Sequence, residues 1–115
     1  MEKADPTSPL PFLHLAQLHQ RAGREAEAIT AYRTVLRLDS DNIMALNNLA
    51  WLLGKEGHNL EEALALAERA YQKAPGSAVV ADTLGWLAFH QGDLERAATL
   101  IRQAVAANPD NPTLR

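Results

Sequence analysis

Residues 47–53 read NNLAWLL and residues 82–88 read DTLGWLA, so one pattern returns after 35 positions. Its centre is a leucine followed by Ala or Gly, and a weaker copy lies 34 positions upstream, which gives the column Leu15, Leu49 and Leu84. A glycine column has the same spacings of 34 and 35: Gly23, Gly57 and Gly92. A period of roughly 20 to 50 residues is typical of proteins that stack one small unit. The sequence therefore predicts three units in register.

Three further columns lie in the second half of each unit: Ala28, Ala63 and Ala97; Tyr32, Ala67 and Ile101; and Ser40, Pro75 and Pro109. Their spacings are 35 and then 34, the reverse of the order in the first half. One residue is therefore inserted in the second unit, between Gly57 and Ala63. We place it within residues 58–60, where a turn between helices is expected and an extra residue costs little.

Each unit is expected to form two helices joined by a tight turn. Gly supplies the positive φ that ends the first helix, and Pro prevents the second from continuing. Ala and Leu dominate the chain, and both enter helices at low cost. The last unit has apolar residues at helical spacing, typical of a buried stripe: Ala97, Leu100, Ile101, Ala104 and Val105. The predicted first helices cover residues 9–22, 43–56 and 78–91, and the second helices cover residues 25–38, 60–74 and 94–107.

These columns resemble the tetratricopeptide repeat, whose first helix has large, Leu, Gly/Ala and aromatic positions and whose second has Ala, aromatic, Ala and Pro positions. The resemblance implies an all-α, right-handed solenoid of three stacked helix-turn-helix repeats. The repeats would span residues 9–42, 43–77 and 78–111 of one domain, with a flexible lead-in at 1–8 and a tail at 112–115. The first repeat departs most, because Phe12, His19 and Ser40 replace the Trp, aromatic and Pro of the pattern.

Composition excludes several classes of function. The 11 basic and 14 acidic residues are interspersed and sum to a net charge of −3, whereas nucleic-acid binding needs a basic stripe. The chain has no cysteine, so disulfides and thiolate chemistry are excluded. No stretch approaches the roughly 18 apolar residues of a membrane span, so we expect no direct membrane insertion. A cytoplasmic and a periplasmic location both remain open.

Catalysis and metal binding are also disfavoured. The four histidines, His14, His19, His58 and His90, do not share a face in a ligand pattern, and no HExxH motif is present. Glu61 and Glu62 lie in a predicted first turn, where carboxylates complement the helix dipole. No nucleophile motif or phosphate loop is present. We expect no enzyme activity, no metal and no cofactor.

The resemblance implies a concave groove, lined by the first helix of each repeat, in which a partner would lie. The inward positions of the family fall on residues that we expect to contact a partner: Leu13, Gln17, Met44, Asn47, Asn48, Trp51, Lys55, Val79, Asp82, Thr83, Trp86 and His90. The same positions also fall on Leu10, His14, Gln20, Arg21, Gly54 and Phe89.

Three of these residues carry the functional hypothesis. The amide of Asn48 can donate to and accept from a peptide backbone at once. Trp51 and Trp86 hold the same place in successive repeats, so they are expected one above the other, either as a contact surface or packed between helices. A partly exposed tryptophan would do both.

The family also implies a known ligand mode, a clamp of Lys and Arg beside Asn that holds the carboxylates of chaperone C-termini. Leu13, Val79 and Thr83 stand at the places of those cations, so this ligand is disfavoured. A partner that offers backbone amides and apolar side chains fits better, and Met44 can adapt its shape to one.

Two classes of function then compete. The first is an interaction module that binds a protein or peptide in the groove. The second is structural, a segment of a longer solenoid or a self-associating unit that forms a homo-oligomer through its ends. The first is the leading hypothesis, and the sequence supports the second too, because residues 110–115 predict no capping helix over Leu100, Ile101 and Val105. A regulatory domain of an attached enzyme is a third class. Residues 47–53 and 82–88 also resemble bacterial repeat proteins of cell-envelope, polysaccharide-export and pilus-assembly systems.

Overall fold

The computed structural model describes residues 8–55 and 59–107, and within these ranges it contains six α-helices and no strands. In chain order they are α1 (Leu10–Arg21), α2 (Glu25–Leu38), α3 (Ile43–Gly54), α4 (Leu60–Lys73), α5 (Ala78–Gln91) and α6 (Leu94–Ala107). The predicted helices are confirmed in number, order and type, and their ends agree with the predicted ends to within two residues.

Polar side chains explain where two of the first helices begin. The side-chain oxygen of Asn42 accepts a hydrogen bond from the backbone N–H of Ala45 at 3.0 Å, which caps α3. Ser77 caps α5 in the same way, through the backbone N–H of Val80 at 3.2 Å. Each cap satisfies a backbone donor that has no partner inside its own helix.

The glycine column explains where first helices end. Gly92 has a φ of +96° and ends α5, and Gly23 has a φ of +80° in the turn after α1. Side chains rarely adopt this left-handed conformation, whereas glycine adopts it at little cost. The predicted role is confirmed at these two places. Gly57 and Pro109 lie outside the described residues.

The helices pair within each repeat, and the pairs then stack. α1 packs on α2, α3 on α4 and α5 on α6, while contacts of α2 with α3 and of α4 with α5 join successive repeats. The result is an elongated right-handed solenoid, 49 × 29 × 24 Å, in which one apolar core extends from Ala16 to Leu100. None of the helices in the described ranges is long and apolar enough to cross a bilayer.

Close packing of the last pair depends on the small residue that follows the column leucine. This place holds Ala16, Ala50 and Gly85, all of which are buried. A Cβ added at Gly85 would lie 2.9 Å from Cγ1 of Ile101 and 3.3 Å from the carbonyl oxygen of Ala97. α6 therefore approaches α5 more closely than a side chain at this place would allow.

Candidate protein-binding groove

The three first helices, α1, α3 and α5, carry the residues that were predicted to face a partner. The exposed side chains of this set all lie on α3 and α5: Met44, Trp51, Val79, Trp86 and His90. Others are half-buried: Leu13, Gln17, Asn48, Lys55 and Asp82. The described surface of the groove is thus mixed, with apolar and amide side chains between few charges.

Four rings form an aromatic cluster on α3 and α5, composed of Trp51, Trp86, Phe89 and His90. The centroids of Trp51 and Trp86 are 6.2 Å apart, and their planes are inclined at 46°. His90 meets Trp86 edge-on with centroids 4.6 Å apart, and Phe89 stacks on Trp86 at 5.7 Å. These are separations at which aromatic rings attract one another.

The helical spacing explains how this cluster forms. Trp86, Phe89 and His90 are three and four residues apart on α5, so they share one face. Trp51 holds the place on α3 that Trp86 holds on α5, which brings the two indoles together as predicted. The tryptophans remain 36% and 37% exposed, so each packs against a neighbour and still presents ring surface to solvent.

A pocket of about 450 Å³ opens beside the aromatic cluster. Its walls are formed by Trp51, Trp86, Phe89 and Ile101, with the carboxylate residue Asp82 at one side. Binding pockets for small ligands start at roughly 300 Å³ and are mostly apolar with a few polar groups. This pocket has the size and lining to receive one large apolar side chain.

Asn48 belongs to a polar network that crosses from α1 to α3. Its Nδ2 donates to Oη of Tyr32 at 3.0 Å, and that hydroxyl donates to Oε1 of Gln20 at 2.6 Å. Burial raises the pKa of Tyr32, and the hydrogen bond with Asn48 opposes this rise only in part, so the hydroxyl keeps its proton and acts as a donor. The network fixes the orientation of the Asn48 amide.

This amide is only partly used. Its Oδ1 accepts from Nδ2 of Asn47 at a long 3.4 Å, and one of its two N–H groups is taken by Tyr32. An asparagine side chain has two donors and two acceptor lone pairs, so Asn48 retains one of each among the residues that the structure describes. A peptide backbone needs that combination.

Other predicted residues are placed below the groove surface or have partners within the protein. Asn47 and Thr83 are buried, 7% and 8% exposed, because α3 and α5 have neighbouring helices on both sides. They present little surface to a partner. Lys55 forms an ion pair with Glu25 of α2, which ties the end of α3 to the start of α2. Its charge is therefore compensated within the chain.

Two further inward positions make contacts between the first helices of the protein itself. Gln17 donates from Nε2 to the thioether of Met44, which links α1 to α3 across the groove. Gly54, an inward position by resemblance, is buried instead, and a Cβ there would overlap Leu87 of α5. Gly54 thus serves close packing of α3 and α5.

Ile101 was not predicted to line the groove, because Ile101 lies on a second helix. It reaches the pocket since Gly85 lets α6 approach α5 closely. A signal was present in the sequence, because Gly85 stands where the other two repeats have Ala. The Gln20–Tyr32 hydrogen bond was also missed, because nothing in the spacing of these residues indicates that they meet.

Stacked helical hairpins with a groove along their first helices define a helical repeat protein. Two models of the tetratricopeptide repeat match the chain, one over residues 13–78 and the other over residues 55–115. The chain belongs to the tetratricopeptide repeat family.

Two curated bacterial proteins are similar in sequence. A TPR repeat-containing protein of Pseudomonas aeruginosa is 34% identical over 79 residues, which cover 69% of this chain and 13% of that protein. Cellulose synthase operon protein C of Pseudomonas fluorescens is 33% identical over 123 residues, with 99% of this chain and 10% of that protein covered. The chain thus spans about a tenth of the length of these relatives.

Two solved structures share the fold. A mutant O-GlcNAc transferase of Thermobaculum terrenum matches with a TM-score of 0.86 at 32% identity, over 96% of this chain and 21% of that one. The first TPR domain of Spaghetti (RPAP3), bound to an HSP90 peptide, matches with a TM-score of 0.84 at 18% identity, over 95% and 86%. The second likeness concerns the fold alone.

Proposed function

We propose that this chain is a protein-interaction module without catalytic activity of its own, which binds an extended segment of a partner protein along α1, α3 and α5. The observation that supports this most directly is the aromatic cluster beside the 450 Å³ pocket. Half-exposed tryptophans are costly to leave in water, and they are among the residues that most often dominate binding free energy at interfaces.

The groove offers two complementary kinds of contact. Asn48 presents a free N–H and a free lone pair to a backbone amide, and it lies one helical turn before Trp51 on the same face of α3. The pocket then receives an apolar side chain of the same segment. A partner with an extended backbone and at least one large apolar residue would engage both.

The ligand chemistry differs from that of the peptide-bound neighbour. RPAP3 is seen with an HSP90 peptide, SRMEEVD, which is rich in carboxylates. Here Leu13 and Val79 are apolar and Thr83 is buried, and the nearby Lys55 is paired with Glu25. We therefore expect an apolar and not an acidic ligand in this groove.

The test is affinity capture from a lysate of the source organism, with wild type compared with a Trp51→Ala, Trp86→Ala double variant. Each tryptophan should contribute roughly 2 kcal/mol or more to binding, so the variant should lose its partner by well over tenfold. Because both residues are at the surface, circular dichroism should show unchanged helicity.

Leu38→Ala serves as the matched control, because it removes an exposed apolar side chain at the end of α2, a second helix that does not line the aromatic pocket. It should retain the partner at wild-type level. Equal capture by wild type and the tryptophan variant would contradict binding in the groove.

A further inference from the structure

One apolar column of the groove is exposed in all three repeats. It contains the second residue of each repeat, Leu10, Met44 and Val79, which are 54%, 47% and 56% exposed. Met44 belongs to the middle repeat, which has a repeat on each side, so its exposure does not arise from an end of the chain. The column is therefore a feature of the groove itself, and we call it the apolar row.

The apolar row and the tryptophans lie on either side of the Asn48 amide. On α3, Met44, Asn48 and Trp51 are four and then three residues apart, so they share one face of the helix. Met44 and Trp51 are thus separated by about 10 Å along the helix axis. On α5, Val79 and Trp86 have the same spacing. A segment that crosses the helices over Asn48 would have the apolar row on one side and the tryptophans on the other.

The distance from one repeat to the next favours one conformation of such a segment. Packed helices lie roughly 8 to 10 Å apart, and α3 packs on α5 where Gly54 meets Leu87. Met44 and Val79, at the same place on these helices, should recur at about that distance. Side chains on one side of a β-strand recur at about 6.6 Å, which is too short, or at about 13 Å, which is too long. A polyproline II helix repeats every three residues, or about 9.3 Å, and therefore matches.

The tryptophans provide the kind of surface to which proline-rich segments bind. The ring centroids of Trp51 and Trp86 are 6.2 Å apart, closer than the helix axes, so a ligand would meet the two indoles as one aromatic surface. Proline-rich segments dock in aromatic-lined grooves, because the polyproline II helix is already formed before binding and loses little entropy. The exposed parts of the two indoles could pack against proline rings in this way.

Charge and hydrogen bonding in this part of the groove also fit such a ligand. α3 contains no Asp, Glu, Lys or Arg, and α5 contains one such residue, Asp82. A polyproline II backbone makes no internal hydrogen bonds, so its carbonyl groups need donors from water or from a partner. Among the described residues, Asn48 retains one N–H that can donate to such a carbonyl. The groove is thus suited to an uncharged segment that mainly offers acceptors.

We propose that the partner segment is rich in proline and binds across α1, α3 and α5 as a polyproline II helix. A large apolar residue at every third position would lie on the apolar row, and prolines would pack against Trp51 and Trp86 with one apolar side chain in the adjacent pocket. This inference rests on the proposed function and specifies the chemistry of its ligand.

The first test compares two dye-labelled peptides of twelve residues that have the same composition, four leucines and eight prolines. One repeats Leu-Pro-Pro four times, and the other places its leucines at every second position and ends in prolines. The first peptide should bind wild type at least tenfold more tightly by anisotropy of the dye, because only its leucines match the step between repeats. A third peptide, Leu-Gly-Gly repeated four times, should also bind more weakly, because a flexible chain loses more entropy on binding.

A second test changes the apolar row and leaves the tryptophans in place. Met44→Gln and Val79→Thr nearly preserve the size of each side chain and remove its apolar character. The double variant should bind the Leu-Pro-Pro peptide about tenfold more weakly and should lose its preference over the rearranged peptide. Leu38→Ala, on a second helix, is the control and should bind both peptides as wild type does.

The outcomes separate this inference from the proposed function. Equal affinity of wild type for the two proline peptides, or no binding of the Leu-Pro-Pro peptide, would overturn the inference. If a partner captured from lysate were still lost by the Trp51→Ala, Trp86→Ala variant, groove binding would stand and only the polyproline II ligand would be rejected. Capture that does not depend on the tryptophans would count against the groove and against this ligand together.

Discussion

The groove and the outer side of α1 both expose large apolar residues, but they do so for different reasons. In the groove, Trp51 and Trp86 occupy one column of two repeats and are exposed to the same extent, 36% and 37%. On α1, Leu15 is exposed while Leu49 and Leu84 of its column are buried. In the groove, residues at the same place in two successive repeats are exposed to the same extent. In the leucine column, exposure depends on which repeat the residue belongs to.

This comparison teaches how to assign a role to an exposed apolar residue in a repeat protein. A column that is exposed in successive repeats is available for a partner along the solenoid. A column that is exposed in the first repeat and buried in the next two takes part in the packing of one repeat on another. Pairs of residues that share a column or a role allow these two kinds of exposure to be distinguished by mutation.

The largest difference is expected within the leucine column. Leu84→Ala removes a fully buried side chain and should lower the free energy of unfolding by about 3 kcal/mol, because it leaves a cavity in the core. Leu15→Ala, the matched change at a 43% exposed residue of α1, should cost less than about 1 kcal/mol. Urea unfolding measures both. If the two substitutions lowered the free energy of unfolding equally, the contribution of each leucine would depend on its column and not on its burial.

A smaller effect is expected where the last helix pair packs most closely. Gly85→Ala forces a methyl group against Ile101, which costs about 2 kcal/mol, while better helix propensity returns about 1 kcal/mol. The net loss should be about 1 kcal/mol, and the pocket beside Trp86 should change shape. Gly76→Ala is the control, because an added Cβ there meets no other atom and should change stability by under about 0.5 kcal/mol. A Gly85→Ala chain that is more stable than wild type would contradict the close approach.

The smallest effect concerns the ion pair of Arg33 with Glu62, which joins the first repeat to the second. The hydrogen bond from Arg33 lowers the pKa of Glu62, so the pair stabilises the fold above the ordinary carboxyl pKa near 4.5 and is lost as pH falls through the lowered pKa. Both side chains are exposed, so a double-mutant cycle of Arg33→Ala and Glu62→Ala should give only about 0.5 kcal/mol at neutral pH. The coupling should vanish in acid.

A pair of residues far apart provides the control for that cycle. Arg102→Ala and Glu27→Ala should show no coupling at any pH, because Glu27 lies on α2 and Arg102 lies on α6. A coupling between them would contradict the placement of these two helices in the first and last repeats.

Much of the fold could be predicted because the repeat places each element independently several times. The columns of Leu, Gly and Ala predicted the ends of six helices to within two residues. Gly23 and Gly92 adopt the positive φ that a residue after the first helix requires. The adjacency of Trp51 and Trp86 also followed from their shared column. These features depend on local geometry and on the rise from one repeat to the next.

What could not be predicted depends on side chains that meet across helices. Asn47 is buried and Asn48 is half-buried, because neighbours on a helix point about 100° apart and only Asn47 faces the helices packed against α3. The hydrogen bond of Asn48 with Tyr32 and the ion pair of Lys55 with Glu25 link residues 16 and 30 positions apart. Periodicity alone does not indicate such pairs.

The central claim is that the aromatic cluster is the surface that holds a partner, and the chain contains a direct reporter of it. Trp51 and Trp86 are its only two tryptophans, so intrinsic tryptophan emission arises from the groove alone. Extended peptides selected from a displayed random library on the wild-type chain should be titrated while this emission is recorded. We predict a saturable blue shift as the peptide excludes water from the indoles. Peptides that bind by the anisotropy of an attached dye yet leave the tryptophan emission unchanged would contradict the claim.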